Sequence, residues 1–274
     1  MLTRILAFTY GVAAYVIFLG TFLYALGFIG NFGVPRTLDG ARTEPLATAL
    51  AIDVALLALF AVQHSVMARK WFKDRWTRVV PPVVERSTYV LFSSLALVLL
   101  FWQWRPLGGE VWSVENAAGR LALLALFAFG WGLVLVATFL INHFDLFGLR
   151  QVWLHLTGRP YTTLRFRTPG PYRLVRHPLY AGWLFAFWMT PTMTLSHLLF
   201  AVMTTAYILV AIRFEERDLV RIHGTDYEEY RRSVPMLVPS PRPAASSVAT
   251  PATARTSCSP WWRTSPRSCS QCLA

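Results

Sequence analysis

The amino-acid sequence predicts an all-α fold, a polytopic transmembrane helical bundle of four spans followed by a C-terminal helical hairpin. Three observations predict it. Of the 274 residues, 55% are hydrophobic and only 15% are charged, whereas soluble domains carry about 25% charge. The apolar residues gather in runs of about 20, the length that crosses a ~30 Å hydrocarbon core. The last run, 178–212, holds 35 residues and as one helix would reach roughly 50 Å. It must fold back on itself.

The first span, 5–30, is uncharged. It is too long for a signal peptide, and no convincing small-residue cleavage site follows it. A loop with Gly, Pro and Asp, 31–45, leads to the second span, 46–68, which contains Asp53 and, near its end, His64. The basic loop 69–86 carries Arg69, Lys70, Lys73, Arg75, Arg78 and Arg86 and is broken by Pro81-Pro82. The third span is 88–104, and Trp102 and Trp104 at its end suit the headgroup level. A short polar loop, 105–119, precedes the fourth span, 120–141.

The next segment, 142–177, is polar and rich in arginine: Arg150, Arg159, Arg165, Arg167, Arg173 and Arg176. Thr190-Pro191-Thr192 then supplies the break in the hairpin, with arms at 179–190 and 195–213. The first arm is short for a full span. The second arm is expected to leave the membrane and continue to His223, where Gly224 stops it. Thr225, with Glu228 three residues on, would form a capping box for a short helix. Tyr227 and Tyr230 share one face of that helix. Residues 1–239 read as one membrane-embedded domain. The Pro/Ser/Thr/Ala-rich tail, 240–274, with a late Trp261-Trp262, reads as disordered.

Loops 69–87 and 142–177 each hold six Lys/Arg, loop 31–45 holds Arg36 and Arg42, and the hairpin turn holds none. Basic loops stay on the cytoplasmic side, so both termini and the stretch 169–182 are expected at the cytoplasmic face of a bacterial inner membrane. The net charge of +12 comes mostly from arginines in these loops, which points to an anionic lipid surface and not to nucleic acid. Cys258, Cys269 and Cys272 all lie in the tail, so the body has no disulfide framework, thiolate metal site or cysteine nucleophile. No pair of histidines has metal-ligand spacing on one helix, and no metal is expected. A transporter would need polar residues facing one another through the midplane, where only Asp53 qualifies. The oligomeric state is open.

The stretch 169–182, PGPYRLVRHPLYAG, sets Arg173, Arg176 and His177 between Tyr172 and Tyr180, with Pro178 where a helix begins. Alone it is equally well a basic membrane anchor. Glu215-Glu216, between Arg213 and Arg217, is either an interfacial helix end laced with i,i+4 ion pairs or part of a site. The hairpin returns the chain to the same membrane face, so RHPLY and EERDL meet by topology. Acids, arginine, histidine and tyrosines together can hold a zwitterion: arginine takes a carboxylate bidentately, and a carboxylate takes an amine or ribose hydroxyls.

R-H-P-x-Y-x-G at 176–182, E-E-x-x-L at 215–219, and G-x-x-Y-x-x-Y with V-P at 224–235 resemble the integral-membrane methyltransferases. That superfamily includes isoprenylcysteine carboxyl methyltransferases, phospholipid methyltransferases and NnrU-like proteins. Upstream, NHFDLFGLRQVW at 142–153, with Tyr161 and RFRTPGPYRLVRHPLY, resembles the bacterial methanethiol S-methyltransferases, and the likeness covers almost all of 1–239. It implies methylation of methanethiol to dimethyl sulfide by S-adenosyl-L-methionine, with S-adenosyl-L-homocysteine as product, at a non-Rossmann cofactor site. The sequence agrees in having no strand-GxGxxG-helix unit.

The resemblance further implies that Arg176, His177, Tyr180 and Gly182 line the cofactor cavity. Glu215 and Glu216 would hold its polar end, with the choice between them open, and Tyr227 and Tyr230 would close it from the cytoplasm. The methyl of a sulfonium is already activated, so the task is to align a thiolate-like sulfur and exclude water. Thiols titrate above neutrality, Cys at about 8.5, so a base or a positive potential helps. His143 and Asp145 are candidates for the base and Arg150 for the anion's partner; a polar helix terminus facing water is the alternative for the first two. Asp53 is a functional candidate as an intramembrane acid. His64 stands about three turns and roughly 16 Å further on, too far for a direct pair, and is favoured because it lies nearer the cytoplasmic end. His155 and His197 read as ordinary. Within the superfamily, a lipid amine or prenylcysteine acceptor is the alternative, which would need a lateral opening between helices.

Overall fold

The computed structural model describes residues 1–162 and 167–240. Arg165, the three cysteines, Trp261-Trp262 and the rest of 241–274 lie outside the described residues, and with them the expectation of a disordered tail.

Helix α1 (Leu2–Gly30) ends where Asn31 turns left-handed and its N–H returns to the Gly27 carbonyl. Helix α2 (Leu46–Ala68) follows, then a short α3 (Lys70–Trp76) within what the sequence presents as a basic loop. Helix α4 (Pro82–Gln103) starts a turn and a half before the expected 88, because Pro82 is preorganised for the first helical turn. Strand β1 (Glu110–Ser113) precedes α5 (Ala117–Ile141), whose first turn is capped by the Asn116 side chain accepting from the Gly119 N–H. The arginine-rich segment folds into α6 (His143–Leu146), α7 (Leu149–Leu156) and a 3-10 turn at Gly170–Arg173. Then come α8 (Pro178–Trp188), β2 (Thr192–Thr194), α9 (Leu195–His223) and α10 (Thr225–Ser233).

Among the described residues, α1, α2, α4, α5 and α9 are long and apolar enough to cross a membrane. Helix α8, with 11 residues, is not, so the four spans and the hairpin with a short first arm stand as expected. Large apolar side chains such as Leu121, Phe129, Phe139, Val202 and Val210 are exposed on the spans, as a lipid solvent permits. Inside, Phe28, Phe101, Phe127, Trp131, Phe187 and Phe200 join α1, α4, α5, α8 and α9 in one core.

The bundle has two polar ends. At one, β2 pairs antiparallel with β1, Trp112 opposite Met193; strands this short leave no alternation to read in a sequence. Here Asp39 accepts from the Thr194 hydroxyl and, at 2.6 Å, from Asn31. His197, with its ring N–H 2.9 Å from the Phe187 carbonyl and its other nitrogen 3.4 Å from Asp39, is a lock in this network. Asp53, fully buried, accepts the Arg105 N–H at 2.9 Å at this same end. The other end carries most of the arginines. Arg69 pairs with Asp218 at 3.4 Å, and Arg86 donates to the Leu146 carbonyl at 2.7 Å.

Helices α5 and α8 pack through two glycines. A Cβ on Gly182 would lie 2.8 Å from the Gly130 carbonyl oxygen and 2.9 Å from the Val134 nitrogen; one on Gly130 would meet the Gly182 oxygen and Ala186 nitrogen at 2.7 Å. Small residues let helices in lipid approach this closely. The structure thus sets Gly182 against α5. Gly182→Ala is expected to force backbone from backbone and cost about 1–3 kcal/mol, read as a lowered thermal unfolding midpoint in detergent.

The Thr225–Glu228 capping box does not form. Gly224, at φ 57, ends α9 with its N–H on the Val220 carbonyl, and α10 begins at Thr225 with no side-chain cap. Thr225 is already helical, so its hydroxyl is not placed as a flanking residue's would be.

Candidate functional site

His177 is the last residue before α8, and Pro178 takes the first helical position. The backbone just ahead of the helix is fastened from outside. The Arg176 N–H donates to the Pro235 carbonyl at 2.8 Å and the His177 N–H to that of Met236 at 3.1 Å. The Arg176 guanidinium continues the clasp, with Nη1 donating to the carbonyls of Arg231 at 2.8 Å and Val234 at 2.5 Å. Its Nε donates to Glu216 Oε1 at 2.8 Å, and His177 Nε2 lies 3.1 Å from the same oxygen. Glu216 therefore pairs across the hairpin with residues of the α8 start, not along its own helix with Arg213 or Arg217.

Glu215, one residue away, is placed differently. Its Oε2 is 3.9 Å from His177 Nδ1 and is buried with no hydrogen-bond partner. Tyr180 is the hydrogen-bonding neighbour of this carboxyl. Tyr172, which flanks the motif but stood outside the expected site, joins the group. Its buried hydroxyl also has no hydrogen-bond partner, and Glu215 and Tyr230 are its electrostatic neighbours. Its backbone oxygen accepts from the Tyr230 hydroxyl at 2.6 Å. Tyr227 is 2% exposed, and its ring centroid lies 5.8 Å from that of Tyr230. Burial pushes the phenols of Tyr172 and Tyr227 well above their ordinary range, the nearby glutamates adding to it. Burial pushes Tyr230 up to about 12 against the opposing pull of Arg176. All three are neutral hydroxyls at physiological pH.

The 142–153 segment makes a separate group. His143 is buried, with Nε2 2.8 Å from the Tyr15 hydroxyl, Nδ1 2.9 Å from Thr138 Oγ1, and its ring stacked on Phe139 at 4.2 Å. Burial lowers its imidazole below the ordinary value. Asp145 accepts from Arg150 Nη1 at 2.9 Å and from the Tyr161 hydroxyl at 3.2 Å. Arg150 also holds the Thr162 carbonyl at 2.9 Å and hydroxyl at 2.8 Å. Burial, then Asp145, pushes Tyr161 up to about 12. His143 and Asp145 are 6% and 9% exposed, so neither is a water-facing helix terminus, and none of these bonds reaches Glu215 or Glu216. Asp53 sits at the far end of the bundle. His64 is in the arginine-bearing half, bonded to Tyr89 and Ser93.

The arrangement offers one unmatched buried carboxylate oxygen, a fixed imidazole and several neutral phenols beside the membrane. A compact cation with polar appendages is the ligand such a group suits.

The chain is 60% identical over 238 residues, 87% of its length and 93% of the relative's, to a protein of Crocosphaera subtropica named methanethiol S-methyltransferase. It is 56% identical over 238 residues, covering 87% of itself and 98% of the relative, to the methanethiol S-methyltransferase of Mycobacterium tuberculosis. Nurim of Mus musculus is 33% identical over 207 residues, 71% of the chain and 78% of nurim. No family model matches, and no solved structure matches.

Proposed function

The chain belongs to the methanethiol S-methyltransferase family, and we propose that it methylates methanethiol to dimethyl sulfide with S-adenosyl-L-methionine as donor. The observation that carries this reading is Glu215 Oε2, buried without a hydrogen bond beside His177 and among neutral tyrosines. A buried carboxylate oxygen that accepts no hydrogen bond is costly, and the ammonium or ribose hydroxyls of the donor would complete it. The donor, when bound, supplies a methyl on a sulfonium, already activated for displacement.

The residues then divide. His177, Tyr180, Glu215, Tyr227 and Tyr230, joined by Tyr172, would hold the donor. Arg176 and Glu216 fasten the place together and touch it less, since their polar atoms are engaged with each other and with backbone carbonyls. Tyr227, almost fully buried, and Tyr230 exclude water from the side of α10. His143, Asp145 and Arg150 brace α6 and α7 against α1 and the 160–162 chain. We place the group at the cytoplasmic face of the inner membrane, because the arginines gather at that end of the bundle. Residues 1–239 form the methyltransferase domain, and its partners are a small thiol and the bilayer.

The test is direct. The full chain in lipid nanodiscs, given methyl-labelled S-adenosylmethionine and methanethiol, is expected to release labelled dimethyl sulfide into the headspace. Label in the lipid fraction with none in the headspace would instead show a lipid acceptor.

A further inference from the structure

Deeper in the bundle than the donor residues lies a second polar group, drawn from three helices. His64 on α2 has Nδ1 3.1 Å from Ser93 Oγ and Nε2 2.8 Å from the Tyr89 hydroxyl, both on α4. Its ring stacks on Phe60 at 5.2 Å and meets Tyr207 of α9 edge-on at 6.4 Å. The Tyr207 hydroxyl accepts from Ser65 at 3.2 Å. This group continues into the donor site. Tyr180, beside Glu215, has Tyr207 and Tyr89 as its further electrostatic neighbours. Above Tyr89 lies the Arg86 guanidinium, 5.0 Å from the ring centroid.

Polar side chains in a membrane span are expensive and collect where they serve a purpose. His143 has the same two kinds of partner, a tyrosine and a threonine hydroxyl, and place is what sets His64 apart. Its partner Tyr89 and its ring neighbour Tyr207 are both neighbours of Tyr180, beside Glu215, whereas neither of those bonds of His143 leads there. In the tautomer that gives Nδ1–H to Ser93 Oγ, the Tyr89 hydroxyl can turn to another acceptor and leave Nε2 to take a proton.

We propose that this group is the acceptor site: methanethiol sits among Tyr180, Tyr207 and His64, and the His64 imidazole takes its proton. The proposal rests on the methyl-transfer reading above. In the step, the S–H bond breaks and its proton passes to His64 Nε2. A sulfur lone pair forms the new C–S bond to the donor's methyl carbon. The old sulfonium C–S bond breaks with its electron pair remaining on the departing thioether sulfur. The aromatic faces suit a cationic transition state. The task that the sequence assigns to His143 and Asp145 thus falls to a histidine on α2.

The experiment uses the full chain in nanodiscs. His64→Gln is expected to lower kcat/KM for methanethiol about a hundredfold or more, the usual scale for removing a positioned base. Its affinity for S-adenosylhomocysteine, measured by calorimetry, is expected to stay within about twofold, since the contacts to that ligand are untouched. The loss is expected to shrink with trifluoroethanethiol, whose electron-withdrawing group makes it a thiolate without help. Methanethiol is also expected to lose its stabilising effect on the S-adenosylhomocysteine-loaded variant in thermal unfolding. Wild-type turnover in His64→Gln, equal losses with both thiols, or loss of S-adenosylhomocysteine affinity would each overturn the assignment. If His64→Gln fails to fold, Ser93→Ala, which releases the His64 tautomer, carries the test: a drop of about tenfold in kcat/KM with S-adenosylhomocysteine affinity kept supports it, and no drop overturns it. A wild-type chain that binds no S-adenosylhomocysteine fails the underlying methyl-transfer reading instead, a result separate from these.

Discussion

Glu215→Gln is expected to weaken binding of S-adenosylhomocysteine by about ten- to hundredfold while leaving the protein as stable as its parent or more so. The affinity figure follows from a hydrogen bond to a charged group, worth about 1.5–3 kcal/mol. The stability expectation follows from the geometry. In the free protein Oε2 is buried and accepts no hydrogen bond, so its charge is a cost that an amide of the same shape reduces. Titration calorimetry and a thermal melt on one preparation read both quantities. Unchanged affinity with a lowered midpoint would make Glu215 a structural carboxylate and remove it from the donor site.

Glu216→Ala is expected to do the reverse in the free protein: to lower stability by about 3–5 kcal/mol, the scale for removing one partner of a buried charge pair. Its carboxylate receives Arg176 Nε at 2.8 Å and lies 3.1 Å from His177 Nε2, with both side chains of the ion pair under 15% exposed. Without it the guanidinium and imidazole lose their shared partner together. Denaturant or thermal unfolding in detergent reads the loss, and Glu216→Gln, which keeps an accepting oxygen, is expected to recover part of it. A neutral outcome for Glu216→Ala would show that the clasp closes without its charge.

The architecture was legible because lengths decide it. A 178–212 run too long for one crossing forces a hairpin, and a hairpin forces RHPLY and EERDL to one face. What separates Glu215 from Glu216 was not legible. The two are chemically alike and about 100° apart around a helix, and the choice depends on Arg176, 40 positions away. His143 shows the same limit from the other side. As a histidine two residues before an aspartate it reads as a candidate base, and its partners Tyr15, 128 positions earlier, and Thr138, one at each nitrogen, could not be read from the sequence. Asp53 reads as an intramembrane acid, but its partner is the Arg105 backbone at the opposite end of the bundle. Tyr207 gave no signal, since a tyrosine within an apolar run is ordinary until its neighbours on α2 are known. The β1–β2 ribbon was hidden for a different reason, because three or four residues are too few to show a period.

The clasp at the start of α8 also fixes an order of events. Arg176 and His177 meet the Pro235 and Met236 carbonyls through their N–H groups, so the start of α8 is fastened only after position 236 has been made. A chain is synthesised from its N-terminus, and every span is complete well before that point. A nascent chain therefore holds all its spans before the clasp that fastens the start of α8 can close.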